Sequence, residues 1–241
     1  MPFRPRLWPT LFTIPVIILC LGLGTWQVQR LEWKNSILER IDQRLAEPAV
    51  PLPAKIDTPD DWEYRRVSVS GVMDHSKEIH KFALSPNANQ GYQVIVPMTR
   101  ADGHGIVLIN RGWVPVERKD AASRREGLLT GEQAINGIVR VGFQKQSRFA
   151  FDNDETKNVW FHFDLPHMQR VMGVTAPMIM VEADDKPNPG LFPLGGQTRI
   201  NIPNSHLQYA FTWYSMAVIL LVIYIVWHIQ QDRKDRRRED V

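Results

Sequence analysis

The sequence predicts an α+β membrane protein: N- and C-terminal transmembrane helices flank a mainly antiparallel β-barrel or sandwich-like extracytoplasmic domain. Three observations lead there. Residues 7–26 and 209–229 contain no charged side chain, and about 20 apolar residues suffice to cross the hydrocarbon core of a bilayer. Between them, apolar and polar residues alternate at strand period, broken by turns rich in Gly, Pro and Asn. The charge is also uneven. Of 29 Lys and Arg and 26 Asp and Glu, the two tails hold seven basic and four acidic residues, which leaves 22 of each sign between them. Basic tails next to apolar helices stay on the cytoplasmic side. Both termini are therefore expected in the cytoplasm, and the chain from about residue 30 to 204 outside it.

The elements follow in order. Residues 1–6 form a cytoplasmic N-terminus and 7–26 the first span, bracketed by Trp8 and Trp26 as interfacial anchors. A signal peptide cleaved near Gly22-Leu23-Gly24 is the alternative reading. Leu31, Ile37, Leu38, Ile41 and Leu45 keep a 3.6-residue period, so a membrane-proximal helix is expected over 27–47, ending at the Pro-rich connector 48–53. Gly22, Trp26 and Arg30 share one face of this helix, with Gly22 suited to close helix packing. The β-rich domain covers 54–204. Strands are expected over 65–73, 78–84, 92–99, 106–114, 135–143, 159–163, 178–182 and 199–202, with a tight hairpin connection at Asp102-Gly103-His104-Gly105. One helix is expected over Leu165–Met172, capped by Asp164, opened by Pro166 and stopped by Gly173. The second span covers 207–229, and a basic cytoplasmic tail 230–241.

Several functions are disfavoured at once. A neutral domain offers no basic face for nucleic acid. Cys20 is the sole cysteine and lies in the first span, so neither an intrachain disulfide nor a cysteine-based metal cluster can form. His75/His80 and His162/His167 are each five apart, a spacing that suits neither a helical nor a strand pair of ligands. No dedicated zinc or copper site is expected. The chain contains no Gly-x-Ser-x-Gly elbow, no His-Glu-x-x-His and no phosphate loop, and a non-enzymatic role is expected. In the block 108–115, Gly112 suits a bulge or a close backbone approach, and Arg111, if buried, needs an acidic partner such as Asp152 or Asp154.

Three blocks carry a family resemblance: Gly24-Thr25-Trp26-Gln27 followed by Arg30, Trp33 and Lys34; Leu108-Ile109-Asn110-Arg111-Gly112-Trp113-Val114-Pro115; and Ile202-Pro203-Asn204-Ser205-His206-Leu207-Gln208-Tyr209-Ala210-Phe211-Thr212-Trp213. In this order they resemble the surfeit locus protein 1 family, with Asn158-Val159-Trp160-Phe161 and the two-span layout in support. The resemblance implies an assembly factor for haem-copper cytochrome c oxidase that binds haem a and assists its insertion into the largest subunit. Partners would be that subunit, the haem a synthesis machinery and the lipid bilayer. The span starting at Leu7 leaves no room for a transit peptide, so a bacterial cytoplasmic (inner) membrane is expected, with the main domain in the periplasm. A membrane-anchored periplasmic hydrolase and a cofactor-free scaffold are the alternatives.

The residues expected at the cofactor are His206, Tyr209, Trp213 and Arg30. Ser205 and Gln208 fit a capping box, which puts His206 in the first turn of the second span. Tyr209 and Trp213 follow on the same stripe. An imidazole at the edge of an apolar aromatic groove suits a haem iron as axial ligand, and Arg30 or Arg199 a propionate. The plain alternative is an interfacial histidine that caps the helix or bonds a headgroup. The resemblance favours the haem reading, because this histidine falls on the position implicated in haem contact among bacterial members.

Overall fold

The computed structural model describes residues 5–141, 151–198 and 204–239. Contacts divide the chain into two compact units, Met1–Arg40 with Asn201–Val241, and Ile41–Ile200.

The first unit is an antiparallel helix pair. Helix α1 runs unbroken over Leu7–Ala46, with Pro15 inside it, so the span and the membrane-proximal segment are one element. Helix α3 runs over His206–Glu239 and carries the helix through most of the basic tail. Both are long and apolar enough to cross a membrane. The buried positions on α3 are Ala210, Ala217, Tyr224 and His228, spaced by seven, seven and four, and α1 matches them with Cys20 and Gly24. That is the seam of two helices packing nearly in line. Polar pins set its register. Thr10 Oγ1 meets Tyr224 Oη at 2.7 Å and Thr25 Oγ1 meets Tyr214 Oη at 3.1 Å. His228 Nε2 accepts the Arg6 N–H at 3.1 Å, while its Nδ1 bonds the Tyr224 carbonyl at 2.8 Å. A backbone N–H can only donate, so Nε2 accepts and Nδ1 is the nitrogen that donates, to the Tyr224 carbonyl.

The packing glycine is Gly24. A Cβ there would come 2.8 Å from the Tyr214 ring, whereas one on Gly22 would meet nothing within 4 Å. The expectation of close packing at Gly22 is thus corrected: Gly22 is exposed, on the outer side of α1.

The second unit is a β-barrel. Its strands are β1 (Val50–Pro51), β2 (Arg66–Met73), β3 (Ile79–Leu84), β4 (Gln90–Arg100), β5 (Ile106–Pro115), β6 (Glu132–Arg140) and β7 (Met180–Ala183). Strand β2 pairs with both β6 and β4, which closes the ring β2–β6–β7–β5–β4. All junctions in this ring are antiparallel except β5–β7. The result is a small five-stranded Greek-key barrel of the kind that includes OB-folds, with β1 added to β2 and β3 to β4.

The ring has two cores. Val67, Val69, Val94, Val96, Met98, Val107, Ile109, Val139 and Val181 fill the interior. Ile95, Leu108 and Met180, of opposite parity, face outward and pack with Trp160 under α2 (Leu165–Met172), which supplies Leu165, Met168 and Met172. Strands β4 and β5 are covered on both faces, and so they read as nearly continuous apolar runs. Helix α2 starts and stops where its punctuation requires. The Asp164 side chain accepts the His167 N–H, and Gly173 adopts the left-handed conformation at φ 64°.

Two expected elements differ. Residues 159–163 form only isolated bridges, Asp154 with Val159 and Lys81 with Trp160; the wholly buried Trp160 ends the alternation by turning under α2. The Pro-rich connector, in turn, contains β1, parallel to the start of β2, with the Leu52 N–H donating to the Ser68 carbonyl at 2.9 Å. The strand expected over 199–202 lies outside the described residues.

Candidate functional site

The cofactor residues expected from the sequence all belong to the helix pair. His206 opens α3, and the Ser205 carbonyl accepts the Tyr209 N–H at 3.2 Å. The half-buried imidazole points at α1, where Nδ1 meets Gln27 Oε1 at 2.7 Å. An amide oxygen only accepts, so Nδ1 donates, and in the neutral ring Nε2 keeps its lone pair. Tyr209 is 54% exposed and Trp213 half-buried. Arg30 is exposed and stacks over the Trp33 ring at 3.9 Å; Trp26 is 53% exposed.

Helical geometry relates these side chains. On α3 the seam runs through Ala210, Ala217 and Tyr224, and Tyr209 lies about a quarter-turn to one side. On α1 the seam runs through Cys20, Gly24 and Gln27, and Arg30 lies about a quarter-turn to one side. The helices are antiparallel, so these offsets fall on the same flank of the pair. One flank near the Gln27–His206 level therefore combines an imidazole with a free lone pair, aromatic surface and a guanidinium. Ala210 and Ala217 do not widen this flank, because both are buried in the helix–helix seam.

The barrel holds a second polar constellation, of which the sequence singled out Arg111, His75 and His80 but not Glu78 or Arg124. Glu78, at the start of β3, is buried with Arg124, whose Nη2 donates to Glu78 Oε1. His80 Nε2 lies 3.2 Å from the same carboxylate oxygen. Burial pushes the Glu78 carboxyl up, but His80 and Arg124 outweigh it and hold the group below the usual carboxylate range. Burial depresses the His75 imidazole, and the positive charges of Arg111 and Arg124 add to the effect. Arg111 is 2% exposed. It sits on a bulge where β5 spends two residues, Arg111 and Gly112, against Val94 of β4. Its Nη2 donates to Asn188 Oδ1 at 3.0 Å, not to Asp152 or Asp154 as expected from the sequence. Burial, with Arg124 close by, lowers its guanidinium to about 10.

Gly112 makes this bulge possible. Its φ is +116°, and a Cβ there would lie 1.9 Å from the Leu194 carbonyl oxygen. The next residue, Trp113, exchanges two backbone hydrogen bonds of 2.8 Å with Leu194. Bulge and close approach thus occur together. Among the described residues no serine hydroxyl is hydrogen-bonded to a histidine, and no group of three or more His, Cys, Asp or Glu converges as a metal site.

Two membrane-length helices and a closed Greek-key barrel between them in the sequence define a membrane-associated barrel protein. The sequence pattern of the SURF1 family matches residues 14–218. Surfeit locus protein 1 of Homo sapiens is 35% identical over 222 residues, covering 86% of this chain and 72% of its own. The protein of the same name from Xenopus tropicalis is 35% identical over 221 residues (86% and 70%). A SURF1-like protein of Monosiga brevicollis is 34% identical over 229 residues (91% and 86%). The chain belongs to the SURF1 family.

Proposed function

We propose that this protein assists assembly of haem-copper cytochrome c oxidase by holding haem a on the helix-pair flank, where His206 Nε2 would bind the iron, for insertion into the largest subunit. The SURF1 family is known for cytochrome c oxidase assembly. The observation that carries the haem reading is the 2.7 Å bond between His206 Nδ1 and Gln27 Oε1. A ligating imidazole typically donates its second ring N–H to a fixed acceptor, which sets its tautomer and orientation. Here that acceptor is in place. Tyr209, Trp213 and Trp26 offer apolar aromatic surface, and Arg30 a cation for a propionate. When bound, haem would supply an iron that takes a nitrogen ligand; His206 would hold it, with the aromatic groove beside it.

In this proposal the helices cross a bacterial inner membrane, the basic tails face the cytoplasm and the barrel lies in the periplasm. The role is binding rather than catalysis. Visible absorption of the full chain, purified in detergent from cells that make haem a, tests the reading. Wild type should show a haem band, and His206→Ala should reach the membrane at a normal level and lack it. A wild-type protein free of haem would instead support a scaffold without cofactor.

A further inference from the structure

We propose that the barrel contains an oxyanion-binding pocket, built on Arg111, for a small ligand bearing a phosphoryl or carboxylate group. The pocket belongs to the barrel unit alone and does not depend on the haem reading.

Three observations converge. First, a cavity of about 270 Å³ opens beside the β5 bulge; Arg111, Gln133, Asn136, Asp184, Lys186 and Asn188 supply its polar wall. Second, the Arg111 guanidinium is only half used. Nη2 is bonded to Asn188 on the same wall, while Nη1 is fully buried with no protein acceptor among the described residues. A buried, unpaired charged donor is costly, and such groups ordinarily find an anion.

Third, no carboxylate among the described residues pairs with it directly. Among the described residues no carboxylate oxygen comes within 4.0 Å of Arg111. The undescribed stretches of the barrel unit, 142–150 and 199–200, contain neither Asp nor Glu. The nearby Glu78 gives its Oε1 to Arg124 and keeps Oε2 buried without a hydrogen-bond partner; its single charge acts on both buried guanidiniums but contacts only that of Arg124. On the wall itself, Asp184 Oδ1 accepts the Lys186 N–H at 3.3 Å, and Asn188 Nδ2 donates to the Pro193 carbonyl at 2.6 Å. The wall thus sets one carboxylate, Asp184, against two cations, Arg111 and Lys186. A net positive charge therefore remains at a cavity rimmed by the Lys186 ammonium, the Asn136 amide and the Gln133 amide, whose Nε2 also donates to the Thr130 carbonyl at 3.0 Å; this donor set suits an oxyanion. The volume falls just below the range of pockets that enclose drug-sized molecules, which selects a small anion over a macrocycle.

The test is calorimetric titration of the full chain in a neutral detergent, with inorganic phosphate and succinate as separate probes and chloride at matched ionic strength as control. Saturable binding of phosphate identifies a phosphoryl site, and of succinate a carboxylate site; chloride should show neither. Arg111→Gln should weaken the bound probe by about tenfold or more, the loss of one charge-assisted hydrogen bond. Should that variant fold poorly, Asn136→Asp, which puts a negative charge on an exposed wall position, should weaken binding by a similar factor. Lys186→Ala should weaken it by less. Absence of saturable binding with both probes, or binding unchanged in Asn136→Asp and Lys186→Ala, would overturn the proposal and leave Arg111 Nη1 to water.

Discussion

The helix pair and the barrel solve opposite problems with polar groups. The pair keeps its outer surface apolar and places a handful of hydrogen bonds along one seam: Thr10–Tyr224, Thr25–Tyr214, His206–Gln27 and Arg6–His228. Lipid tails give apolar side chains no reason to choose a partner, so small residues and polar pins set the register. The barrel surrounds itself with two apolar cores and then buries an ion pair, Glu78 with Arg124, near His80 and the buried Arg111. Such ions contribute little net stability and penalise the loss of either partner heavily. Polar residues thus specify geometry in the first unit, and in the second they create a charged interior that has to be satisfied.

The comparison is broken most severely at the bulge. Gly112→Val forces a β-branched residue to positive φ and drives its side chain into the Leu194 carbonyl. The expected cost exceeds about 4 kcal/mol, so little folded barrel should remain by limited proteolysis of membranes. Next comes Trp160→Ala, at 0% exposure under α2. It should cost about 3–5 kcal/mol and lower the Tm in detergent, while the helix pair still inserts.

Acid sharpens the contrast. The Glu78 carboxyl is depressed in the folded state. Its contribution is therefore complete above the ordinary carboxyl value of about 4.3 and is lost as pH falls through the depressed value. The depressed His75 acts earlier: below about pH 6.5 the unfolded imidazole takes up a proton that the folded one refuses, so stability falls from there as well. The barrel Tm should decline in two stages between pH 7 and 3. His75→Gln should remove the first stage and spare the second, and a flat wild-type profile from pH 7 to 5 would contradict this. The smallest effect is expected in the seam, where Thr10→Val deletes the bond to Tyr224. Polar pairs between membrane helices average about 0.6 kcal/mol, so a double-mutant cycle with Tyr224→Phe should return a coupling of that order.

Local punctuation was legible in the sequence, and closure was not. Helix α2 could be bounded by Asp164, Pro166 and Gly173 alone, because caps and stops act within one turn. The β4–β5 hairpin was announced by Asp102-Gly103-His104-Gly105. By contrast, the β2–β4 contact that shuts the ring joins Gly71 to Arg100, a pairing that no local pattern encodes. Packing was expected at Gly22, and only the position of Tyr214 shows that the seam runs through Gly24 instead. Glu78 and Arg124 are 46 residues apart, so no spacing could unite them. Arg111 left one trace: a lone charge inside the apolar run 106–114, which marked a buried ion without naming its partner. His206 was legible as a position, but Gln27, which sets its tautomer, was visible only as part of a motif.

The central claim is that His206 presents Nε2 because Gln27 holds Nδ1. Haem titration followed by the Soret band in wild type, His206→Ala and Gln27→Leu tests both halves together. The expected result is loss of specific binding in His206→Ala and an affinity about 10- to 100-fold weaker in Gln27→Leu, the usual cost of removing the group that orients a ligand. Spectra and affinities equal in all three proteins would contradict it.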